Sequence, residues 1–366
     1  MASPPPSAAA DQARTGALPA PVMIDFVARA LARLGLPADD ARLAGELMVE
    51  SDLTGADAHG IFRLPQYVQQ IEDGAINPTP AITVNRTASG TALVDGDSGM
   101  GHLVVRRAAE TAIALARANG VGWVGTHRSN HAGSAGVYAA MPVAHGMIGI
   151  YSAVASANHM AVWGGTEPTL GTNPIAIALP IGEGRERPRQ LVLDMATTVV
   201  SYGTIKTYAL HGKSLQEGWM IDRRNGGPLT DPKQSAEGLL LPIGGYKGSG
   251  LALMLGFLAG TLNGAAMGLD VVDFNADTRT PNNTGQFVLA LDISRFMPLA
   301  QFESEVRRHM TALKSGARMP GVDAIRLPGE QRGERRTRRF KEGVVLPPPV
   351  RARLDALADR LGVARL

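Results

Sequence analysis

An imidazole, a guanidinium and a phenol fall close together in the stretch Asp57-Ala58-His59-Gly60-Ile61-Phe62-Arg63-Leu64-Pro65-Gln66-Tyr67. A histidine exchanges a proton near neutral pH. An arginine can grip a carboxylate through two parallel hydrogen bonds. Together His59 and Arg63 can hold a small acid and do acid–base chemistry on it. Spacing alone does not establish this, because a histidine and an arginine four apart on a helix are commonly a solvated surface pair.

Other segments carry compatible chemistry. Ser129-Asn130-His131-Ala132-Gly133 directly follows an expected strand, and the carboxyl ends of strands are where sheet proteins place reactive loops. His131 reads either as a proton carrier or as an orienting residue in a tight turn. Gly244-Gly245-Tyr246-Lys247-Gly248-Ser249-Gly250 opens an apolar helix, and glycine-rich backbone with a lysine at a helix start suits a phosphate. It is not a Walker loop, since the spacing is wrong. Gly99 and Gly101 suggest a dinucleotide loop, but position 104 is Val and no acid ends the next strand, so they read as a tight turn. Asp194 reads as a strand-end group that orients backbone. His102, His127 and His159 read as structural. His59 and His131 have no carboxylate cluster of ligand-like spacing nearby, so no metal site is expected.

Bulk properties narrow the classes. The chain contains no cysteine, which excludes disulfides, thiolate metal sites and cysteine nucleophiles and fits a cytoplasmic protein. Net charge is only +3, and the basic residues are dispersed except between Arg332 and Lys341. That cluster reads as a solvated helix or loop face, with a cofactor phosphate patch as the sharper alternative. It lacks the interleaved aromatic residues of a single-strand binder, so nucleic acid is not expected as a partner. Met1–Ala20, rich in Pro, Ala and Ser, reads as a disordered tail. The uncharged segment Leu251–Leu269 contains several glycines and reads as a buried helix rather than a membrane span.

Periodicity and punctuation predict the elements that must position these groups. Helices are expected over Val22–Leu34, from Pro37 to Leu53, over Leu64–Glu72, over Leu103–Asn119, after Gly133 to Ala144, and from Val199 toward Ala209. Helices also close the chain, over Gln301–Ser315 and Pro349–Leu361. Strands are expected at Thr91–Val94, Val121–Thr126, Met147–Ala153, Ile175–Leu179, Leu191–Leu193 and Gln286–Ile293. The fold class is α/β (α+β): a cofactor-binding sheet domain over 89–309, and a helical domain from 21–88 plus 310–366.

Six motifs in order carry a resemblance. They are His59-Gly60 with Arg63 and Tyr67; Ser129-Asn130-His131-Ala132-Gly133; Trp163-Gly164-Gly165 with Gly171-Thr172-Asn173-Pro174; Leu193-Asp194-Met195-Ala196-Thr197; Tyr246-Lys247-Gly248-Ser249-Gly250; and Arg326-Leu327-Pro328-Gly329-Glu330. On these the chain resembles the malate/L-lactate dehydrogenase family that stands apart from the Rossmann-type lactate and malate dehydrogenases. Relatives include sulfolactate, ureidoglycolate, diketogulonate and Δ1-piperideine-2-carboxylate enzymes.

The resemblance implies an oxidoreductase using NAD or NADP on a non-Rossmann fold, working as a homodimer whose subunits both shape the active site. It places His59 at a proton donor position and His131 at a proton acceptor position. Arg63 falls on the carboxylate-binding arginine, with Tyr67 as a further substrate contact. It assigns cofactor contacts to Leu193, Asp194, Met195, Ala196, Tyr246, Lys247, Gly329 and Glu330. Two departures matter: Ala58 stands where relatives often carry a hydroxyl, and the Ala155–Val162 loop is longer than in some of them.

The expected reaction is hydride transfer between the nicotinamide and a small 2-hydroxy or 2-keto acid, malate- or lactate-like. The alternative within enzymes is reduction of a cyclic imine carboxylate such as Δ1-piperideine-2-carboxylate, and outside them a non-catalytic small-acid binding protein. Arg335 or a neighbour is expected to influence the choice between NAD and NADP.

Overall fold

The computed structural model describes residues 16–184 and 189–366. The chain enters as strand β1 (Ala17–Leu18) and helix α1 (Ala20–Ala32), so the last residues of the expected disordered tail are ordered, and its residues 1–15 lie outside the described residues. Two prolines suit the start of α1, where a missing N–H costs little. Its Met23, Phe26, Val27, Ala30 and Leu31 form one buried stripe. Helix α2 (Ala38–Thr54) carries Asp39 and Asp40 in its first turn and stops at Gly55, whose φ of 83° suits glycine. Two single 3₁₀ turns, Asp57–His59 and Ile61–Arg63, lead into α3 (Leu64–Glu72).

The sheet follows: β2 (Thr83–Ala88), β3 (Thr91–Asp95), helix α4 (Gly101–Asn119), β4 (Val121–Ser129), the short helix α5 (Ala135–Ala139), β5 (Met147–Ala153), β6 (Ile175–Pro180) and β7 (Gln190–Met195). A small lobe then carries α6 (Tyr202–Leu210), β8 (Met220–Asp222) and β9 (Gly238–Leu240) around Ile205, Met220 and Leu240. Helix α7 (Tyr246–Ala259), strand β10 (Thr284–Asp292), α8 (Leu299–Lys314), α9 (Glu330–Glu342), β11 (Val344–Val345) and α10 (Pro348–Leu361) complete the chain.

The main sheet has the order β2-β3-β4-β10-β5-β6-β7. Only β3 and β4 run parallel; every other neighbouring pair is antiparallel. That mixture differs from the parallel sheet of a doubly wound dinucleotide fold. The register puts Ser129 opposite Thr284, Gln286 opposite Ala153, Ser152 opposite Ile175, and Ile175 opposite Met195. One end of the sheet therefore gathers the end of β4, the start of β10, the end of β5, the start of β6 and the end of β7.

Two large cores meet. One joins α1–α3 to Val344, Leu354, Leu357 and Ala358 from the end of the chain. The other fills the sheet face under α4 and α5. The boundaries expected at residues 88 and 309 do not fit, because the first cuts between the paired strands β2 and β3 and the second falls inside α8. The helix expected up to Ala144 is instead α5 and a 3₁₀ turn at Pro142–His145. The buried helix expected over Leu251–Leu269 ends at Ala259 and leaves Leu251, Met254, Phe257 and Leu258 exposed. Among the described residues, no helix is long and apolar enough to cross a membrane.

Candidate active site

The two 3₁₀ turns are fastened from behind. Asp52, buried near the end of α2, accepts a hydrogen bond from the Ile61 amide at 2.9 Å. A Cβ at position 60 would run into that carboxylate, so Gly60 is the residue the turn requires. Burial holds the Asp52 carboxyl well above its ordinary range. From α9, Arg339 reaches the Asp52 carbonyl and the Asp57 carboxylate.

The second loop is fixed by the sheet end. Asn130 donates to the carbonyls of Ser98 and Gly99, and Gln286 donates to the Asn130 carbonyl at 2.9 Å. A Cβ on Gly101 would strike the Asn130 carbonyl, so that glycine serves close packing. Gly99 likewise abuts Pro80, in keeping with a turn rather than a dinucleotide loop.

These two loops bring His59 and His131 together, their rings stacked with centroids 5.8 Å apart. Phe274 covers the other side of His131 at 5.0 Å. Arg63 lies over the same Phe274 ring, and its Nε donates to the Ala58 carbonyl at 2.9 Å while Nη1 donates to Gln66 Oε1 at 2.7 Å. These four side chains line a pocket of about 120 Å³ with Ala153, Pro174, Tyr202, Lys206, Asn275 and Gln286.

Both histidines are neutral here. Desolvation, and then the charge of Arg63, push His59 down to about 4. The same two causes, with His59 and His102 added, hold His131 well below its ordinary value. Arg63 is lowered by burial as well.

Tyr67 departs from the expected substrate contact. It is buried, does not line the pocket, and its hydroxyl meets His131 Nδ1 at 2.6 Å. The Gly133 amide also donates to Nδ1, at 3.3 Å. An amide only donates, so Nδ1 carries the lone pair, Tyr67 donates to it, and the ring proton sits on Nε2. Burial raises the Tyr67 phenol above its usual value, which keeps it a donor. His102 lies edge-on to Tyr67, fully buried with neither ring nitrogen paired, and desolvation drives it to about 3.

A second cleft, of about 280 Å³, adjoins the pocket across the turn Ala132–Gly136. Gly333 gives it open backbone, Gly136 and Gly329 pack closely on Asp194 and Val192, Leu47, Val137 and Val192 form an apolar wall, and the cations Arg106 and Arg332 stand among Glu46, Glu50 and Asp194. Asp194 ties it together, accepting from Ser134 Oγ at 3.0 Å, from the Gly136 amide at 3.1 Å and from Arg332 at 2.8 Å. An apolar slot with glycine backbone and cations suits the flat rings and the phosphates of a dinucleotide.

The residues expected at a cofactor are only partly gathered. Asp194 and Gly329 line the cleft. Leu193 and Met195 pair within the sheet, opposite Ile177 and Ile175, and Ala196 follows them. Glu330 accepts from the Leu327 amide and pairs with Lys314. Tyr246 and Lys247 stand exposed at the start of α7 and line neither cavity. In the arginine cluster, Arg332 lines the cleft, Arg336 pairs with Glu50 and Arg339 with Asp57; Arg335 packs on Gly55. Sequence reading missed Asp52, Lys206, Phe274, Asn275 and Gln286. Gln70 to Tyr67 and Leu64 share the buried side of α3, a stripe that could have placed the phenol inward.

Residues 18–355 match a family described as malate/L-lactate dehydrogenase. The malate dehydrogenase of Pyrococcus horikoshii is 36% identical, over 94% of this chain and 95% of its own. Its solved structure superposes with a TM-score of 0.86, covering 96% of this chain and 97% of that one at 33% identity. The ureidoglycolate dehydrogenase (NAD(+)) of Escherichia coli K12 is 31% identical over 86% of this chain and 88% of its own. The (2R)-3-sulfolactate dehydrogenase (NADP(+)) of Chromohalobacter salexigens is 32% identical over 90% of this chain and 94% of its own.

Proposed function

Since the chain belongs to the malate/L-lactate dehydrogenase family, we propose that its pocket and cleft together carry out hydride transfer between NAD or NADP and a small 2-hydroxy or 2-keto acid. The observation that carries this reading is the convergence of Arg63, His59 and His131 on one pocket beside a glycine-lined cleft. The bound dinucleotide supplies the hydride acceptor or donor. Gly136, Asp194, Gly329 and Arg332 are the residues that would hold it.

Arg63 binds the substrate carboxylate and fixes which face meets the nicotinamide. His131 donates its Nε2 hydrogen to the substrate oxygen. His59, neutral and hydrogen-bonded to no described side chain, takes the hydroxyl proton during oxidation and returns it during reduction. Tyr67 acts through His131 and is a positioning residue. The two imidazoles thus divide the work, one holding the oxygen and one moving the proton.

The exposed apolar side of α7 supports a homodimer, in which a second copy completes the site. A cytoplasmic location is consistent with the absence of cysteine.

The test follows oxidation of NADH and NADPH by the purified protein with oxaloacetate, 3-sulfopyruvate, pyruvate and Δ1-piperideine-2-carboxylate. The reading expects turnover of a 2-keto acid, and an Arg63→Ala variant with kcat/KM lower by on the order of a hundredfold. Turnover of the cyclic imine alone transfers the assignment to imine reduction, and turnover of nothing leaves a binding protein.

A further inference from the structure

The pocket holds a second cation that hydride transfer does not require. Lys206 stands on α6 at the pocket mouth, and its Nζ donates to Asn275 Oδ1 at 3.4 Å. Arg63 Nη1 donates to the same oxygen, also at 3.4 Å. The two charged nitrogens are therefore less than twice that distance apart. Asn275 is itself oriented, because its amide nitrogen donates to Asp273 Oδ1 at 3.0 Å and so turns Oδ1 toward the cations. Lys206 also lies over the Tyr202 ring, which stacks on His159 at 3.9 Å.

Among the described residues, neither Arg63 nor Lys206 forms an ion pair with a carboxylate. Arg353 adds positive field to both. Burial and then the charge of Arg63 depress the Lys206 ammonium, and the Asp273 carboxylate opposes them only in part, so the lysine still gains from an incoming anion. In a four-carbon diacid the two carboxyl carbons lie roughly 3–4 Å apart by covalent geometry, and their outer oxygens reach further. One such molecule can meet both cations at once. A lactate-type acid would turn a methyl group toward Lys206.

We propose that Lys206, held with Arg63 around the Asn275 oxygen, anchors a second anionic group, so that the preferred substrate is a 2-hydroxy acid with a carboxylate or sulfonate on the neighbouring carbon. This rests on the hydride-transfer reading above and names its substrate class.

Steady-state reduction of oxaloacetate, 3-sulfopyruvate and pyruvate tests it with the full-length wild type and the variants Lys206→Met, Lys206→Arg and Asn275→Ala. In the wild type, kcat/KM for at least one dianion exceeds that for pyruvate by about tenfold or more. Lys206→Met lowers that preference ratio by roughly ten- to hundredfold, mainly through KM for the dianion, and Lys206→Arg restores most of it. Asn275→Ala lowers the same ratio by a smaller factor. The oxaloacetate and 3-sulfopyruvate arms separate a carboxylate from a sulfonate. Pyruvate turned over as well as both dianions overturns the inference and leaves the hydride-transfer reading standing, as does a ratio unchanged in Lys206→Met. No turnover of any keto acid removes both.

Discussion

His59 and His131 carry the same side chain and are set for different tasks by what reaches their nitrogens. For His59 the depressed value of about 4 has a definite sign. The base in oxidation is the neutral ring, which dominates above that value. Oxidative kcat/KM should therefore stay flat as pH falls through 6.5, the midpoint of an ordinary histidine, and decline only as it nears 4. A decline centred near 6.5, in a pH-rate profile for the free enzyme, would contradict the assignment. For His131 the decisive atoms are the Tyr67 hydroxyl and the Gly133 amide. Tyr67→Phe removes the stronger donor, with an expected drop in kcat of on the order of tenfold and little change in KM. Nitrogen NMR of labelled histidine should show the His131 ring shifting away from the Nε2–H form, a change that a merely structural tyrosine would not produce. At this scale the sequence was half legible. His59 and Arg63 are neighbours in the chain, so their pairing could be read. Lys206 and Asn275 share no local pattern with them, and only the folded chain brings Asn275 between the two cations.

The elements act as clamps on short turns. Asp52 on α2 and Arg339 on α9 grip the 3₁₀ turn, and Gly60 leaves the room that the Asp52 carboxylate fills. Gly60→Ala should destabilise the fold by roughly 1–3 kcal/mol, the usual cost of overpacking. Its effect on kcat/KM should be larger, since a displaced turn moves His59 and Arg63 together. Chemical denaturation and steady-state kinetics on the same preparation check both, and a variant with wild-type turnover would show that the turn tolerates the shift. The helices around this clamp were readable because α1–α3 have strong apolar periodicity and clear stops, and Leu64–Glu72 falls on its expected bounds. For α9 the sequence fits a helix or a loop alike, and the reason is physical. Its arginines carry no apolar stripe, and three of them are ordered by acids distant in sequence, namely Asp194, Glu50 and Asp57. Strand β2 was missed because nearly every position in it is exposed, so it lacks the alternation that marks a half-buried strand.

At the scale of the whole molecule, α7 is turned the unusual way round. Its small residues Gly248, Ala252, Gly256 and Ala259 face the body together with Leu255, and the large apolar residues Leu251, Met254, Phe257 and Leu258 face outward, continued by Leu262. Beyond Lys247 the helix has no charged residue to hydrate that side. With 14 residues it is well short of the roughly 20 needed to span a bilayer. A contiguous apolar patch rimmed by polar surface marks a protein interface more often than bare solvent exposure, and closed two-fold pairing is the commonest way for one chain to cover it. Helix α8 fits the same picture, since none of its residues is buried and Phe296 before it is 71% exposed. The double variant Met254→Glu/Leu258→Glu places two like charges on this stripe, and two copies facing each other would have to desolvate them together. Sedimentation equilibrium should give a dimer for the wild type and a monomer for the variant at micromolar concentration. Circular dichroism should be unchanged, because neither side chain belongs to a core. If both subunits shape each site, kcat/KM should fall with the dimer fraction across a dilution series. A wild type that sediments as a monomer would show that this helix face stays in water and that each chain works alone.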